Sequence, residues 1–353
     1  MPDKNNKLTI KEIAQLTGLS KGTVDRVIHK RGEVSQESYD KIMRVIDRFG
    51  YQPNLYAAML SAKKASLIAV MMPRAEKGEY WELASKGIEK IRPKTDTLNI
   101  NIASVMFDRN NIESFRAACR QVEDLGPTAV VLAPVFKNEA AVFTAKLRQS
   151  GIMYVYIDTK LEEDGYLAFF GMPMYQSGYL CADLLLEGGA DSVAVINVED
   201  DKRGGNDTIA SRKNGFIDYI NEHCPEVRLV PLSIKTSEPE SIVPGVIEFF
   251  KDNAEINHLV MFNSRIHLIA DALKQIEEKT GHRIKAVGFD NLEKNLDALR
   301  NGSVRYIITQ HTDEQTSLAL AVLSEYIGLR RMPQKRDFYL HMDILTGSNI
   351  DHY

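Results

Sequence analysis

The hydrophobic pattern has one period at the start of the chain and another through the rest. Between Leu8 and Phe49 apolar residues recur at helical spacing. Ile10, Ile13 and Ala14 form one stripe, Val24, Val27 and Ile28 a second, and Tyr39, Ile42, Val45, Ile46 and Phe49 a third. Thr9 with Glu12 three residues on makes a capping box for the first helix, and Gly18 stops it. Ser20 caps the second helix, whose outward positions are Lys21, Gly22, Asp25, Arg26 and His29. Ser35 caps the third, which ends at Gly50. Two short helices about a glycine turn, braced by a third, make a helix-turn-helix unit.

From Ser66 the period shortens. SLIAVMMP, LNINIASVMF, TAVVLAP, IMYVYID, LAFFG, SVAVINV, VRLVPLSI, HLVMF and IKAVGFD read as strands, and the segments between most of them read as helices, the first ending at Ile91. Such alternation predicts parallel α/β layers, with enough strands for two subdomains. Ligands of open α/β sheets sit at the carboxyl ends of the strands, so the predicted site is a cleft that both subdomains share. The segment between the two patterns, beginning Pro53-Asn54, predicts a short hinge helix of small and apolar residues that is unstable alone.

Charge sharpens the division. Residues 1–64 carry a net +5 and residues 65–353 a net −9, within an overall −4 for 353 residues. A basic head on an acidic body suits phosphate binding by one end. The hydrophobic content of 44% is that of an ordinary soluble core. No apolar run approaches a membrane span, and MPDKNNK lacks the apolar stretch of an export signal, so the expectation is a cytoplasmic protein without membrane contact. Cys119, Cys181 and Cys224 are widely spaced and read as reduced thiols. No GxxxxGK or GxGxxG cradle, metal-ligand spacing or nucleophile–base pair is visible, so the expectation is no cofactor, no metal and no enzyme activity.

TIKEIAQLTGLS, SKGTVDRVI, VSQESYDKI and the run from GYQPN to Leu60 resemble the headpiece of the LacI/GalR family of bacterial repressors. The resemblance implies that the second helix enters the major groove of double-stranded DNA with Lys21, Gly22 and Arg26 facing the bases. Arg26 suits a bidentate bond to guanine. Ser20, Thr23 and His29 then fall at backbone phosphates, Thr9 is a further DNA-binding position, and the hinge meets DNA through Asn54, Ala57 and Leu60, Leu60 wedging between base pairs. Gly22 and Asp25 depart from the commoner family residues, so a relative's operator does not transfer.

Residues 66–350 resemble the periplasmic sugar-binding-protein fold that this family uses as its effector core. By that resemblance Tyr80 and Trp81 lie over a sugar ring, and Asp158, Arg212, Asn263, Asp290 and Gln310 bond its hydroxyls. Carboxylates, amides and a guanidinium suit a polyhydroxylated ligand because each serves two hydroxyls. Glu79, Tyr175, His267 and His311 fall near these positions, with structural roles expected for the histidines. Thr159 and Ser264 depart from the arginine and aspartate usual there, so ligand identity is open.

The expected architecture is a small all-α helix-turn-helix headpiece with a hinge helix, joined to a periplasmic binding protein-like α/β core of two parallel-sheet subdomains. Its boundaries are residues 1–52, 53–64 and 65–353. The N-subdomain takes about 65–170 and 309–331, and the C-subdomain about 171–308 and 332–353. No leucine heptads follow the core, which implies a homodimer on a roughly palindromic operator. The expected function is a regulator, a repressor, whose DNA contact a small molecule, a sugar or sugar derivative, controls. The alternatives are a sugar-binding protein or a sugar-metabolising enzyme fused to a DNA-binding head.

Overall fold

Three short helices at the start and two six-stranded sheets after them make up the computed structural model. It describes residues 8–28, 32–49, 51, 65–74, 76–162, 165–199 and 207–352. The hinge helix expected over 53–64, with Asn54, Ala57 and Leu60, lies outside the described residues, as do Gly50 and His29.

In the headpiece, α1 (Ile10–Thr17), α2 (Lys21–Ile28) and α3 (Gln36–Phe49) enclose Ile13, Ala14, Val24, Val27 and Ile42. The reciprocal Thr9–Glu12 capping box is present, and Gly18 ends α1 in the left-handed region at φ 69°. Tyr39 and Phe49 are exposed, although both belong to the third apolar stripe. The cause is length: α3 has 14 residues and its two partners eight each, so both ends of its apolar stripe overhang them.

The first sheet has the order β11-β5-β4-β3-β1-β2, built from β1 (Ser66–Pro73), β2 (Ile100–Phe107), β3 (Ala129–Leu132), β4 (Met153–Ile157), β5 (Ala168–Gly171) and β11 (Asp337–Tyr339). All its pairs are parallel. Helices α4 (Tyr80–Thr97), α5 (Ile112–Leu125) and α6 (Lys137–Gln149) cover it, together with α12 (Thr312–Leu329). Helix α4 continues past the expected end at Ile91, because its buried stripe runs on through Ile91 and Thr95 to Leu98. That burial outweighs the roughly 3 kcal/mol that Pro93 costs inside a helix.

The second sheet repeats the plan as β12-β10-β9-β8-β6-β7. Its strands are β6 (Ser192–Val198), β7 (Arg228–Ile234), β8 (His258–Met261), β9 (Lys285–Phe289), β10 (Tyr306–Thr309) and the antiparallel edge strand β12 (Asp343–Leu345). Helices α7 (Met174–Leu186), α8 (Asp207–His223), α9 (Pro239–Asp252), α10 (His267–Thr280) and α11 (Glu293–Arg300) flank it.

One expected boundary needs correction. β11 pairs with β5 of the first sheet, so residues 337–339 belong to the N-subdomain and the last crossing falls between Tyr339 and Asp343. The three-residue strand offers too short an alternation to be legible as a sheet edge.

Helices α7 and α8 meet backbone to backbone. A Cβ on Gly178 would lie 1.8 Å from the Arg212 carbonyl oxygen, and one on Gly215 would lie 2.0 Å from that of Tyr175. Gly178→Ala is therefore expected to push the helices apart and to destabilise the core by at least the 1–3 kcal/mol typical of overpacking, read as a lower thermal midpoint. An unchanged midpoint would mean that the helices part without cost.

Candidate functional site

Two strand ends at matching places set the cleft. β4 and β9 occupy the same position in their sheets, and Asp158 and Asp290 follow them with φ 68° and 70°. Each donates its backbone N–H to the neighbouring strand, Asp158 to Phe170 O at 3.0 Å and Asp290 to Ile308 O at 2.9 Å. Non-glycine residues seldom hold positive φ, and the aspartate side chain is among those that tolerate it. The positive φ thus falls at corresponding points of the two subdomains.

A continuous polar chain joins those two points. The Tyr80 hydroxyl donates to Asp158 Oδ1 at 2.6 Å. The Asp158 N–H also donates to Gln315 Oε1 at 3.1 Å, and Gln315 Nε2 donates to the Gln310 carbonyl at 2.9 Å. Gln310 Nε2 in turn donates to Asp290 Oδ1 at 2.7 Å. Burial beside Asp158 and Asp290 holds the Tyr80 phenol well above its ordinary pKa, so it stays a donor. Gln310 Oε1 is buried and has no hydrogen-bond partner among the described residues.

Helix α8 supplies a cation at the β8 end. Arg212, 2% exposed, bonds Ser177 Oγ through Nε at 3.3 Å and Phe262 O through Nη1 at 2.9 Å. Its guanidinium lies 4.1 Å from the Phe289 ring centroid, one residue before Asp290, and its Nη2 is buried without a hydrogen-bond partner among the described residues. Asn263 Oδ1 accepts from Arg265 N at 2.9 Å, which shapes the loop after β8.

Asn295, fully buried on α11, holds this end together. Its Nδ2 donates to the carbonyls of Ser264, Phe289 and Asp290 at 2.9–3.0 Å. Its Oδ1 lies 2.8 Å from His267 Nδ1, and burial lowers the His267 pKa, so the ring is a neutral structural partner.

Of the predicted cleft residues, Tyr80, Asp158, Gln310 and Asp290 share one network, while Arg212 and Asn263 gather at the neighbouring strand end. Trp81, packed with Tyr80 in the hydrophobic core of the first subdomain, stands at 83° to the Tyr80 ring, so the two rings are not parallel platforms. Adjacent helix positions point about 100° apart, which is the physical reason. Tyr175 is engaged by Asp218 at 2.8 Å, and His311 faces Asp343 at 2.9 Å. Gln315, Asn295 and Arg265 escaped the sequence reading. Gln315 and Asn295 sit inside helices, where only tertiary structure shows what they bond, and Arg265 lies in an irregular loop.

The headpiece presents a surface of a different kind. Lys21, Gly22 and Arg26 are exposed on α2, opposite the buried Val24 and Val27. Gly22 and Arg26 stand one turn apart on one line of the helix. Thr23 N–H donates to Ser20 Oγ at 3.1 Å, and the two hydroxyls lie 2.9 Å apart, so both serve the start of the helix. Thr9 is likewise committed to Glu12, whose carboxyl it holds below the ordinary range through its N–H and then its hydroxyl. Asp25 is half-buried and, after burial itself, raises the Tyr51 phenol pKa.

Residues 9–54 match the model of bacterial regulatory proteins of the lacI family, and residues 68–329 match that of the periplasmic binding protein domain. The chain is similar to the transcriptional regulator DegA of Bacillus subtilis, 39% identical over 84 residues that make up a quarter of each protein. It is also similar to the ribose operon repressor of Lactococcus lactis, 23% identical over 81% of both chains. Among solved structures, one described as a LacI transcriptional regulator from Bacteroides fragilis superimposes with TM-score 0.75 at 28% identity, over 82% of this chain and all of that one. A helix-turn-helix head on a two-sheet binding core defines a ligand-binding DNA regulator. The chain belongs to the LacI family of bacterial regulatory proteins, with a periplasmic-binding-protein domain as its core. No described helix is long and apolar enough to cross a membrane.

Proposed function

We propose that this protein is a sugar-controlled transcriptional repressor without enzyme activity, acting in the cytoplasm as a homodimer on a roughly palindromic operator. The observation that carries the reading is the polar chain Tyr80–Asp158–Gln315–Gln310–Asp290, which runs from one subdomain to the other beside the buried, unpartnered Nη2 of Arg212. A polyhydroxylated ligand would bond to Asp158, Asp290, Gln310, Arg212 and Asn263, with Tyr80 at its edge. Because Gln315 and Gln310 lie at a crossing between the subdomains, a ligand held there alters the angle at which the subdomains meet. That angle sets the spacing of the two linkers of a dimer, and hence of two copies of Lys21, Gly22 and Arg26 in successive major grooves. Ser20, Thr23 and His29 would hold backbone phosphates, and Asn54, Ala57 and Leu60 would form the minor-groove contact. The similarity to a ribose operon repressor supports a sugar. A sugar that binds the full chain and alters its affinity for duplex DNA supports this function, whereas one that binds and leaves DNA affinity untouched contradicts it.

A further inference from the structure

Arg265 bridges the cleft outside the network just described. It lies in the loop after β8, in the second subdomain, and its Nη2 approaches Glu79 Oε2 of the first subdomain at 3.3 Å. The pairing is lopsided. The Arg265 side chain is 13% exposed and that of Glu79 is 31% exposed, so the buried partner is the cation. A single long bond joins them, and Arg265 Nε is buried with no hydrogen-bond partner among the described residues. Nε and Nη2 form one edge of the guanidinium, the edge that takes an oxyanion side-on through two parallel bonds. Glu79 uses half of it.

The position of this edge relates it to the ligand. Glu79 is the N-cap of α4 and directly precedes Tyr80, while Arg265 follows Asn263 by two residues, so the pair flanks the residues that hold the hydroxyls. Three carboxylates, Asp158, Asp290 and Glu79, and two guanidiniums, Arg212 and Arg265, meet in this region. Asp158 and Asp290, which on the sugar reading would accept from ligand hydroxyls, would repel an acid, which leaves the Arg265 edge as the place for a negative substituent. An incoming oxyanion would satisfy Nε, take over Nη2 and release the more exposed Glu79 to water.

We propose that Arg265 is a specificity-determining residue of the cleft, selecting a sugar derivative that carries an oxyanion, a carboxylate or a phosphate, in competition with Glu79. The proposal rests on the sugar reading of the same cleft. Its test is calorimetric titration of the full chain with matched neutral and charged probes: D-glucose, D-glucuronate and D-glucose 6-phosphate, and D-galactose with D-galacturonate. The wild type should bind a charged member at least tenfold more tightly than its neutral counterpart, and the better of uronate and phosphate identifies the oxyanion. Arg265→Gln should bring that ratio close to one. Glu79→Gln, which removes the resident competitor, should raise affinity for the acid severalfold. Neutral sugars binding as well as their acids would overturn the assignment while leaving the sugar reading intact, and so would an undiminished preference in Arg265→Gln. Failure of every probe, neutral or charged, to bind the wild type would overturn both.

Discussion

Asp290→Asn is expected to lower effector affinity by about 2–3 kcal/mol, roughly 30- to 150-fold, while the core stays folded. A hydrogen bond to a charged acceptor contributes about 1.5–3 kcal/mol and a neutral one about 0.5–1.5, so two hydroxyls served by Asp290 lose about that much when the charge goes. Asparagine is the informative replacement. Position 290 sits at φ 70°, which asparagine tolerates and alanine does not, and an amide oxygen still accepts from Gln310 Nε2. Alanine would mix backbone strain and a lost network bond into the result. Arg212 is harder to probe for the same kind of reason. Two of its nitrogens hold Ser177 and Phe262, so Arg212→Ala removes packing and structural bonds together with any ligand contact. Titration of the Asp290→Asn protein with a sugar that binds the wild type checks the prediction, and wild-type affinity would exclude Asp290 from the ligand.

Arg26→Ala is expected to cost about 1–3 kcal/mol of discrimination at one base pair per half-site and to leave the headpiece folded. Arg26 is exposed on α2, and the headpiece core is made by Ile13, Ala14, Val24, Val27 and Ile42. Selection from a random duplex library by both proteins measures the effect. The variant should accept other bases at one position, whereas an unchanged consensus would assign the reading to Lys21 or to the shape of the groove.

The headpiece was legible in the sequence wherever its signals are local. A capping box spans four residues, and a glycine stop needs no distant partner, so Thr9, Glu12 and Gly18 could be placed from spacing alone. The strand-end residues were legible for a different reason. Asp158, Asp290 and Gln310 each follow an apolar run, and parallel topology brings such ends to one side of a sheet. Their positive φ and the bonds between them are tertiary facts. Gln315 stands in a helix with nothing to distinguish it from a solvated glutamine, yet it carries the polar chain across the subdomains. Tyr80 and Trp81 read as one aromatic pair in sequence, whereas the helix sets their rings at 83° to each other. The edge strand β11 was missed because three residues show no period.

The coupling between cleft and headpiece is tested most directly by the affinity of the full chain for one selected duplex, read by fluorescence anisotropy without sugar and with a binding sugar at saturation. Coupling of about 1–3 kcal/mol predicts a 5- to 150-fold change in DNA affinity, and the same factor must appear in sugar affinity when the DNA is saturating. Equal DNA affinities with and without bound sugar would contradict it.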